Sequence, residues 1–452
     1  MTSVFAYSPM KIKRHGLPYE NACFFCAIML IFYGAKRLFF VAKIGWYFYS
    51  PQLNLKRQNR EAFFMIVGIP KEIMHGENRV SSTPETVRKM VADGHKVLVQ
   101  NSAGNGAFFH DPEYEAAGAV MVGDPREIYA KSDVILKVKE PQYNAALGMH
   151  EVEMMHPGQV LITFIHPASP VNHEMVRNLT AAGVIGLTLD GIPRISRAQS
   201  MDALSSMSTC AGYKGIIMAA DCISKFMPMI GSAVGMIKPA NVLVIGTGVA
   251  GLRALATAKS LGAVVYSADI RPEANEQAKS LGAKIVETGV PTDIAVDPDG
   301  KHANTLSEKW LDAERGNLKE AVSKADIVFL SALLMGKRAP ILLDEEMVKS
   351  MKPGSCIVDI SIDQGGNCSI TTPGEREIKH GVVIEGCKNI PGMLPTSSTW
   401  MFANNIYNLF KYLAPNGKFN LNEDDEIVKS ILVCHEGKLV HAGTIEAMAQ
   451  AN

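Results

Sequence analysis

The stretch Asn241-Val-Leu-Val-Ile-Gly-Thr-Gly-Val-Ala-Gly-Leu252 decides the fold. An apolar run of strand character enters a GxGxxG turn, and the Ala-rich segment 252–261 continues as a helix. A second apolar run, 264–268, then ends at Asp269. A lone GxGxxG carries little weight. Strand, turn, helix, strand and terminal carboxylate in this order are the fingerprint of a Rossmann βαβ unit that binds a dinucleotide. Gly246 is expected to make the tight turn. Gly248 lets backbone N–H groups approach a pyrophosphate at the helix N-terminus, and Gly251 lets helix and strand pack closely. Asp269 would accept hydrogen bonds from an adenosine ribose and repel a 2′-phosphate, which favours NAD over NADP. Arg271 is expected to lie beyond that carboxylate. The candidate cofactor-binding residues are Gly246, Thr247, Gly248, Val249, Ala250, Gly251, Asp269, Ile270 and Arg271. The bland alternative is a Rossmann unit that binds nothing.

Downstream the alternation continues, with strands expected at 284–287, 327–330, 356–360 and 382–385. The Pro-, Gly-, Asp- and Thr-rich stretch 288–303 reads as a surface loop. Upstream, strands are expected at 66–69, 96–100, 133–138 and 160–165, with helices between them such as 171–183. Thr83 is placed to cap a helix that has Pro84 at its first position. Residues 201–230 read as one long helix, broken near Pro228, with Ser200 as its cap. Residues 400–413 read as a helix returning the chain to the first domain, and 426–433 with 438–441 as a hairpin around Glu436-Gly437. The fold class is therefore α/β: two Rossmann-like domains with parallel sheets, the second carrying the NAD site. The expected division is an N-terminal extension at 1–64, a first domain of 65–195 plus 400–452, and an NAD(H)-binding domain at 196–399.

The 452 residues carry 45 Lys/Arg and 45 Asp/Glu, a balance unlike the basic excess of a nucleic-acid binder. The eight cysteines are scattered through regular segments. They form neither a disulfide framework nor paired CxxC metal motifs, which fits a reducing compartment. Residues 1–64 differ from the rest, with nine Lys/Arg against two Asp/Glu and an apolar run from Ala22 to Ala35. That run is short of the roughly 20 residues that span a bilayer. Three readings of it stand side by side: Met65 as the true start, a membrane-surface anchor, or a targeting peptide. From Met65 onward nothing is long and apolar enough to span a membrane.

A second polar constellation lies at 193–206, Pro-Arg-Ile-Ser-Arg-Ala-Gln-Ser-Met-Asp-Ala-Leu-Ser-Ser. It reads either as a solvated loop before a capped helix or as a loop that fixes an amide-bearing ring, since Gln offers both a donor and an acceptor.

With these residues in view, the chain from Met65 onward resembles the NAD(H)-binding component of proton-translocating nicotinamide nucleotide transhydrogenase, itself related to alanine dehydrogenase. The resemblance rests on GIPKE (68–72), ENRV (77–80), KVKEP (137–141), PRISRAQSMDALSS (193–206), AGYKG (211–215), GTGVAGLRA (246–254), DIRPE (269–273), MKPGS (351–355), GGNC (365–368) and LPTSS (394–398). It implies that Arg194, Gln199 and Asp202 hold the dihydronicotinamide and its ribose, with Ser205 assisting. It also implies a homodimer, an NADP(H)-binding partner that receives the hydride directly, and a membrane-spanning component that moves protons. The chain would then sit at the cytoplasmic face of the inner or plasma membrane, held there by its partners.

One departure points elsewhere. Motifs matching alanine dehydrogenase put Arg79, Lys139, His166 and Asp363 at its substrate positions, and TFIHPAS and ISIDQGG look more like that enzyme. On this alternative Arg79 would grip a substrate carboxylate, Lys139 would polarise a carbonyl and His166 would move the proton. An NAD-sensing module without turnover is the third reading.

Overall fold

The computed structural model describes residues 64–297, 303–334 and 338–450. Two sheets organise them. The first is eight-stranded, in the order β17-β16-β6-β5-β4-β1-β2-β3. Its strands are β1 (Ile66–Ile69), β2 (Lys96–Gln100), β3 (Val120–Val122), β4 (Val134–Leu136), β5 (Val160–Thr163) and β6 (Ile185–Thr188), followed from the far end of the chain by β16 (Leu432–His435) and β17 (Lys438–Leu439). β1 to β6 pair in parallel, whereas β16 lies antiparallel to β6, and β17 to β16. The second sheet has seven strands, in the order β11-β10-β9-β12-β13-β15-β14. These are β9 (Asn241–Ile245), β10 (Val264–Ala268), β11 (Lys284–Ile285), β12 (Ile327–Leu330), β13 (Cys356–Asp359), β14 (Arg376–Lys379) and β15 (Val382–Glu385). Only β14 is antiparallel in that sheet.

The strand alternation explains why both faces are covered. Val97, Val99, Val134, Leu136 and Ile162 point to one face of the first sheet, against Phe402, Ile406 and Phe410 of α5 (Pro395–Leu413). Leu98, Ile135 and Leu161 point to the other, against Val176 and Leu179. In the second sheet Val242, Val244 and Phe329 meet Ala254, Leu255 and Ala258 of α3 (Val249–Ser260). Leu243, Ile245 and Val328 meet Leu311, Leu318 and Val322 of α4 (Glu308–Lys324) on the opposite face. Strands buried on both faces read as continuous apolar runs, as parallel strands do.

Several local expectations hold. Thr83 caps α1 (Pro84–Ala92), its Oγ1 accepting from the Thr86 amide at 3.2 Å, with Pro84 at the start. Glu436 and Gly437 turn the β16–β17 hairpin, both at positive φ, as a two-residue hairpin turn requires.

Others do not. α2 spans Ala203–Cys222 and is capped by Asp202, not Ser200. It ends well before residue 230, because Ile223 turns extended and the chain enters a separate two-stranded hairpin, β7 (Ile230–Ser232) and β8 (Gly235–Ile237). Residues 426–431, expected as strand, form the short helix α6 (Glu426–Ile431), because Asp425 caps it through the amides of Ile427 and Val428. α5 begins at Pro395 rather than residue 400. The expected loop at 288–303 contains a helical turn at Thr292–Ala295, and part of it lies outside the described residues. The three readings of residues 1–64 also concern residues outside the described set.

A buried charge cluster anchors the first sheet beyond β4. Lys137 is fully buried, with Nζ 2.9 Å from Glu151 and 3.3 Å from Glu72. Glu151 also accepts from the Tyr129 hydroxyl at 2.7 Å, and Glu72 from the Val138 amide at 2.6 Å. The cluster thereby fixes the segment that carries Lys139 and Glu140. Removing one member leaves uncompensated charge in a dry interior, which typically costs about 3–5 kcal/mol. Lys137→Met should lower the urea midpoint correspondingly with an unchanged m-value, and adding Glu72→Gln should recover part of the loss.

Candidate functional site

The turn after β9 has the geometry expected at Gly246 and Gly251 and is open at Gly248. Gly246 sits at φ +85°, a left-handed conformation that a side chain rarely tolerates. A Cβ on Gly251 would overlap the Gly246 carbonyl oxygen, so α3 meets β9 only because none is there. A Cβ on Gly248 would meet no protein atom within 4 Å. The space in front of the α3 N-terminus is therefore free to take a pyrophosphate on exposed amides. Thr247 is buried and donates its amide to Asp269 Oδ2 at 2.7 Å, closing the turn onto β10. Val249 and Ala250 open the helix and Ile270 follows the carboxylate half-buried.

Arg271 departs from expectation. It folds back onto Asp269 instead of lying beyond it, with Nε 3.0 Å from Oδ1 and Nη2 2.8 Å from Oδ2. The geometry of two residues in one turn, with the Arg271 amide also bonding Oδ1 at 2.8 Å, makes the clasp local. A ribose diol must share this carboxylate with the guanidinium or displace it.

α2 carries the polar loop to this turn. A Cβ on Gly212 would overlap the carbonyl oxygen of Ala250, so α2 and the start of α3 are in backbone contact. At the other end of α2, Asp202 Oδ1 accepts from the Ser205 amide at 2.8 Å and Oδ2 from the Ser205 hydroxyl at 2.6 Å. These two predicted residues are thus brought together as a helix cap. The short 3-10 helix Ser196–Met201 is pinned from outside: Arg197 reaches Asp425 at 2.9 Å and the Tyr412 hydroxyl at 2.8 Å, and Asn405 and Asn408 donate to the Ser200 carbonyl. Arg194 and Gln199 are exposed, and among the described residues neither side chain has a hydrogen-bond partner. The loop is held by Arg197, Asn405 and Asn408, leaving Arg194 and Gln199 to solvent.

The four residues of the alternative reading are distributed differently. Arg79 is buried and its guanidinium is already matched by Glu77, with Nε–Oε1 2.7 Å and Nη2–Oε2 2.5 Å; Asn389 takes a further bond at 2.9 Å. The planar fork reserved for a substrate carboxylate is filled from within. Burial alone would raise Glu77, but Arg79 holds its carboxyl below the ordinary value. His166 lies at φ +48°, stacks on Phe164, keeps 40 % of its side chain exposed, and places Nδ1 2.7 Å from Asp190. Burial pulls the imidazole down, but Asp190 outweighs it and the ring titrates above its ordinary value. Lys139 and Glu140 are its other charged neighbours. Asp363 is exposed on a one-turn helix, beside Cys387, and is not among them.

Asp190 escaped the sequence reading, although its place just after β6, beside the end of β5, was the available signal. So did Glu314, which is only 4 % exposed. It stands on the stripe of α4 formed by Leu311, Leu318 and Val322, and a carboxyl on an otherwise apolar stripe was the clue.

These geometries can be set beside known proteins. The Alanine dehydrogenase/PNT N-terminal domain profile matches residues 68–211, and the C-terminal domain profile of the same name matches 215–442. This chain belongs to the alanine dehydrogenase/PNT family. Within that family it is 38 % identical over 389 residues to NAD(P) transhydrogenase subunit alpha of Haemophilus influenzae, covering 85 % of this chain and 74 % of that one. It is 32 % identical over 392 residues to an alanine dehydrogenase of Staphylococcus saprophyticus, covering 85 % and 97 %. The crystal structure of transhydrogenase from Sinorhizobium meliloti superposes with a TM-score of 0.72 at 36 % identity, covering 83 % of this chain and all of that one.

Glu314 offers a test of the electrostatics around Asp269. Burial, and secondarily the Asp269 carboxylate, push it up to about 7 from 4.5, against the pull of Arg315. Between those values the folded state binds more protons than the unfolded one, so this group makes stability fall as pH rises through the window. Glu314→Gln removes that slope. The variant should gain on the wild type between about pH 4.5 and about pH 7.5, by up to roughly 3 kcal/mol. Urea unfolding at both ends of the range measures it, and parallel profiles would contradict the assignment.

Proposed function

We propose that this chain is the NAD(H)-binding subunit of a proton-translocating transhydrogenase, passing hydride between its own NADH and NADP+ held on a partner component. Proton movement then belongs to a membrane-spanning component. The observation that carries this reading is the exposed, externally pinned loop at 194–202, tied through α2 to the dinucleotide turn. A dehydrogenase acting on a small molecule needs a closed pocket of its own, whereas transfer between two proteins needs a ring presented outward. The higher identity to transhydrogenase subunits than to alanine dehydrogenase supports the same choice.

The Gly246–Gly251 turn and Asp269 fit the dinucleotide, which supplies the hydride when bound. The chain's own residues do the rest. The amides at the α3 N-terminus hold the pyrophosphate, Asp269 the adenosine ribose, and Asp202 with Ser205 the second ribose. Arg194 and Gln199 orient the ring through its amide. Hydride transfer needs no acid or base from the protein. It needs the two reacting carbons within about 3–3.5 Å and water excluded, so orientation is the chemistry this subunit contributes.

The two sheets support a division into 65–195 plus 400–452 and 196–399, with β16 and β17 returning to the first sheet. A homodimer suits the hairpin β7–β8, where Val234 is 99 % and Met236 72 % exposed beside exposed Phe226 and Met229. Attachment to a membrane through partners suits a chain in which no helix among the described residues is long and apolar enough to cross one.

Two experiments test the proposal. With an NADP(H)-binding partner and a reducible NAD analogue, Gln199→Ala should slow hydride transfer by about tenfold or more, the equivalent of ~1.4 kcal/mol, and change NADH affinity much less. Equal loss of both would reduce Gln199 to a binding residue. Turnover of L-alanine with NAD in the absence of any partner would overturn the assignment. Separately, Val234→Asp with Met236→Asp should shift sedimentation velocity from dimer to monomer while leaving NADH binding intact.

A further inference from the structure

We propose that Cys222 and Cys356 form a peroxide-oxidisable dithiol that closes into an intramolecular disulfide between the end of α2 and the start of β13. Cys222 is the last residue of α2 and Cys356 the first of β13. The chain leaving α2 runs beside the chain entering β13: the Ser224 amide donates to the Gly354 carbonyl at 3.5 Å, and the Ser224 hydroxyl lies against the bare α-carbon of Gly354. Two residues back from Ser224 and two forward from Gly354 stand the two cysteines. Cys356 belongs to the apolar cluster against which Cys222 packs, and each thiol is the strongest influence on the other's ionisation. Cysteines on two chain segments held side by side in this way need little backbone movement to bond.

The two sulfurs are chemically unequal. The Cys356 thiol beside it lowers the Cys222 thiol to about 7, with the Arg376 guanidinium assisting and burial, Glu385 and Asp221 opposing. Cys222 is half-buried, and so reachable from solvent, whereas Cys356 is fully buried and raised well above its ordinary value. The other four described cysteines, Cys210, Cys368, Cys387 and Cys434, are all shifted upward, burial being the first cause in each. An accessible thiolate next to a protonated partner is the arrangement of a peroxidatic and a resolving cysteine.

The reaction balances with hydrogen peroxide as the oxidant. The Cys222 thiolate attacks one peroxide oxygen; the O–O bond breaks, the sulfur becomes a sulfenic acid and hydroxide leaves to be protonated by solvent. Cys356 sulfur then attacks the sulfenic sulfur. The S–O bond breaks, and the departing hydroxide takes the Cys356 proton. Two thiols and one peroxide yield one disulfide and two waters, and a small-molecule thiol reverses the change. Because β9 to β12 lie between the two cysteines in sequence, the bond would enclose the dinucleotide-binding unit in one covalent loop.

The test uses the full chain at neutral pH. It is exposed to a small excess of hydrogen peroxide, its remaining thiols are blocked with N-ethylmaleimide, and it is digested without reductant. The expected result is a linked peptide pair containing Cys222 and Cys356, two hydrogens lighter than the separate peptides and separated by dithiothreitol. In Cys356→Ser the Cys222 sulfenic acid should instead be captured by dimedone. Peptide-resolved alkylation of the untreated wild type should show Cys222 reacting fastest of the described cysteines, with a midpoint near pH 7. Peroxide-treated wild type with no 222–356 link, or Cys222 alkylated no faster than Cys387, would overturn the proposal.

Discussion

The backbone contact between Gly212 and Ala250 is the constraint on which the site depends. α2 has the cap Asp202–Ser205 at one end, belongs to the first sheet's core through Ala203, Met207 and Cys210, and to the second sheet's core through Ile216 and Ala219. Only a glycine lets it lie against the opening of α3. A fixed distance along one rigid helix therefore relates the polar loop to the glycine turn. The second close approach, Gly251 on Gly246, fixes α3 to β9 in the same way. Together they make the loop, the helix N-terminus and Asp269 parts of a single frame, which is the pre-organisation an orienting site needs.

Charge is handled by saturation around this frame. Arg271 and Thr247 bond the Asp269 carboxylate, Glu77, Asn389 and Met207 take donors of Arg79, and Asp190 bonds Nδ1 of His166. Each pairing keeps a buried or half-buried ion from standing alone, since isolated charge in a dry interior is expensive. Gln199 and Arg194 are the exceptions. They are polar, exposed and without internal partners, while Arg197, three residues from one and two from the other, is spent on tethering.

Much of this was legible in the sequence. The glycine turn was readable because each glycine answers a separate steric demand: the structure shows those of Gly246 and Gly251 and leaves open space at Gly248. The Thr83 cap and the Glu436-Gly437 turn were readable for the same reason: local backbone chemistry dictates them. The end of α2 was not. Pro228 signals a break, but nothing local says that the helix stops already at Cys222 and that the chain leaves it for a hairpin whose apolar side chains face outward. Nor was the Arg271 clasp, which depends on a side-chain rotamer, or the Glu77–Arg79 pairing, which matters because it occupies a group assigned elsewhere. Among the site residues, backbone-determined positions could be inferred, whereas the allocation of hydrogen bonds among neighbouring polar groups could not.

The antiparallel attachment of β16 to β6 has a bearing on biosynthesis. β6 emerges from the ribosome with its outer hydrogen-bonding edge bare, and its neighbour on that side is encoded only at residues 432–435. Every strand of the second sheet is translated in the interval. The dinucleotide-binding sheet can therefore complete itself before the first sheet does, and the nascent N-terminal half must carry an unpaired edge, a surface prone to wrong pairings, until residues 432–435 arrive to close it.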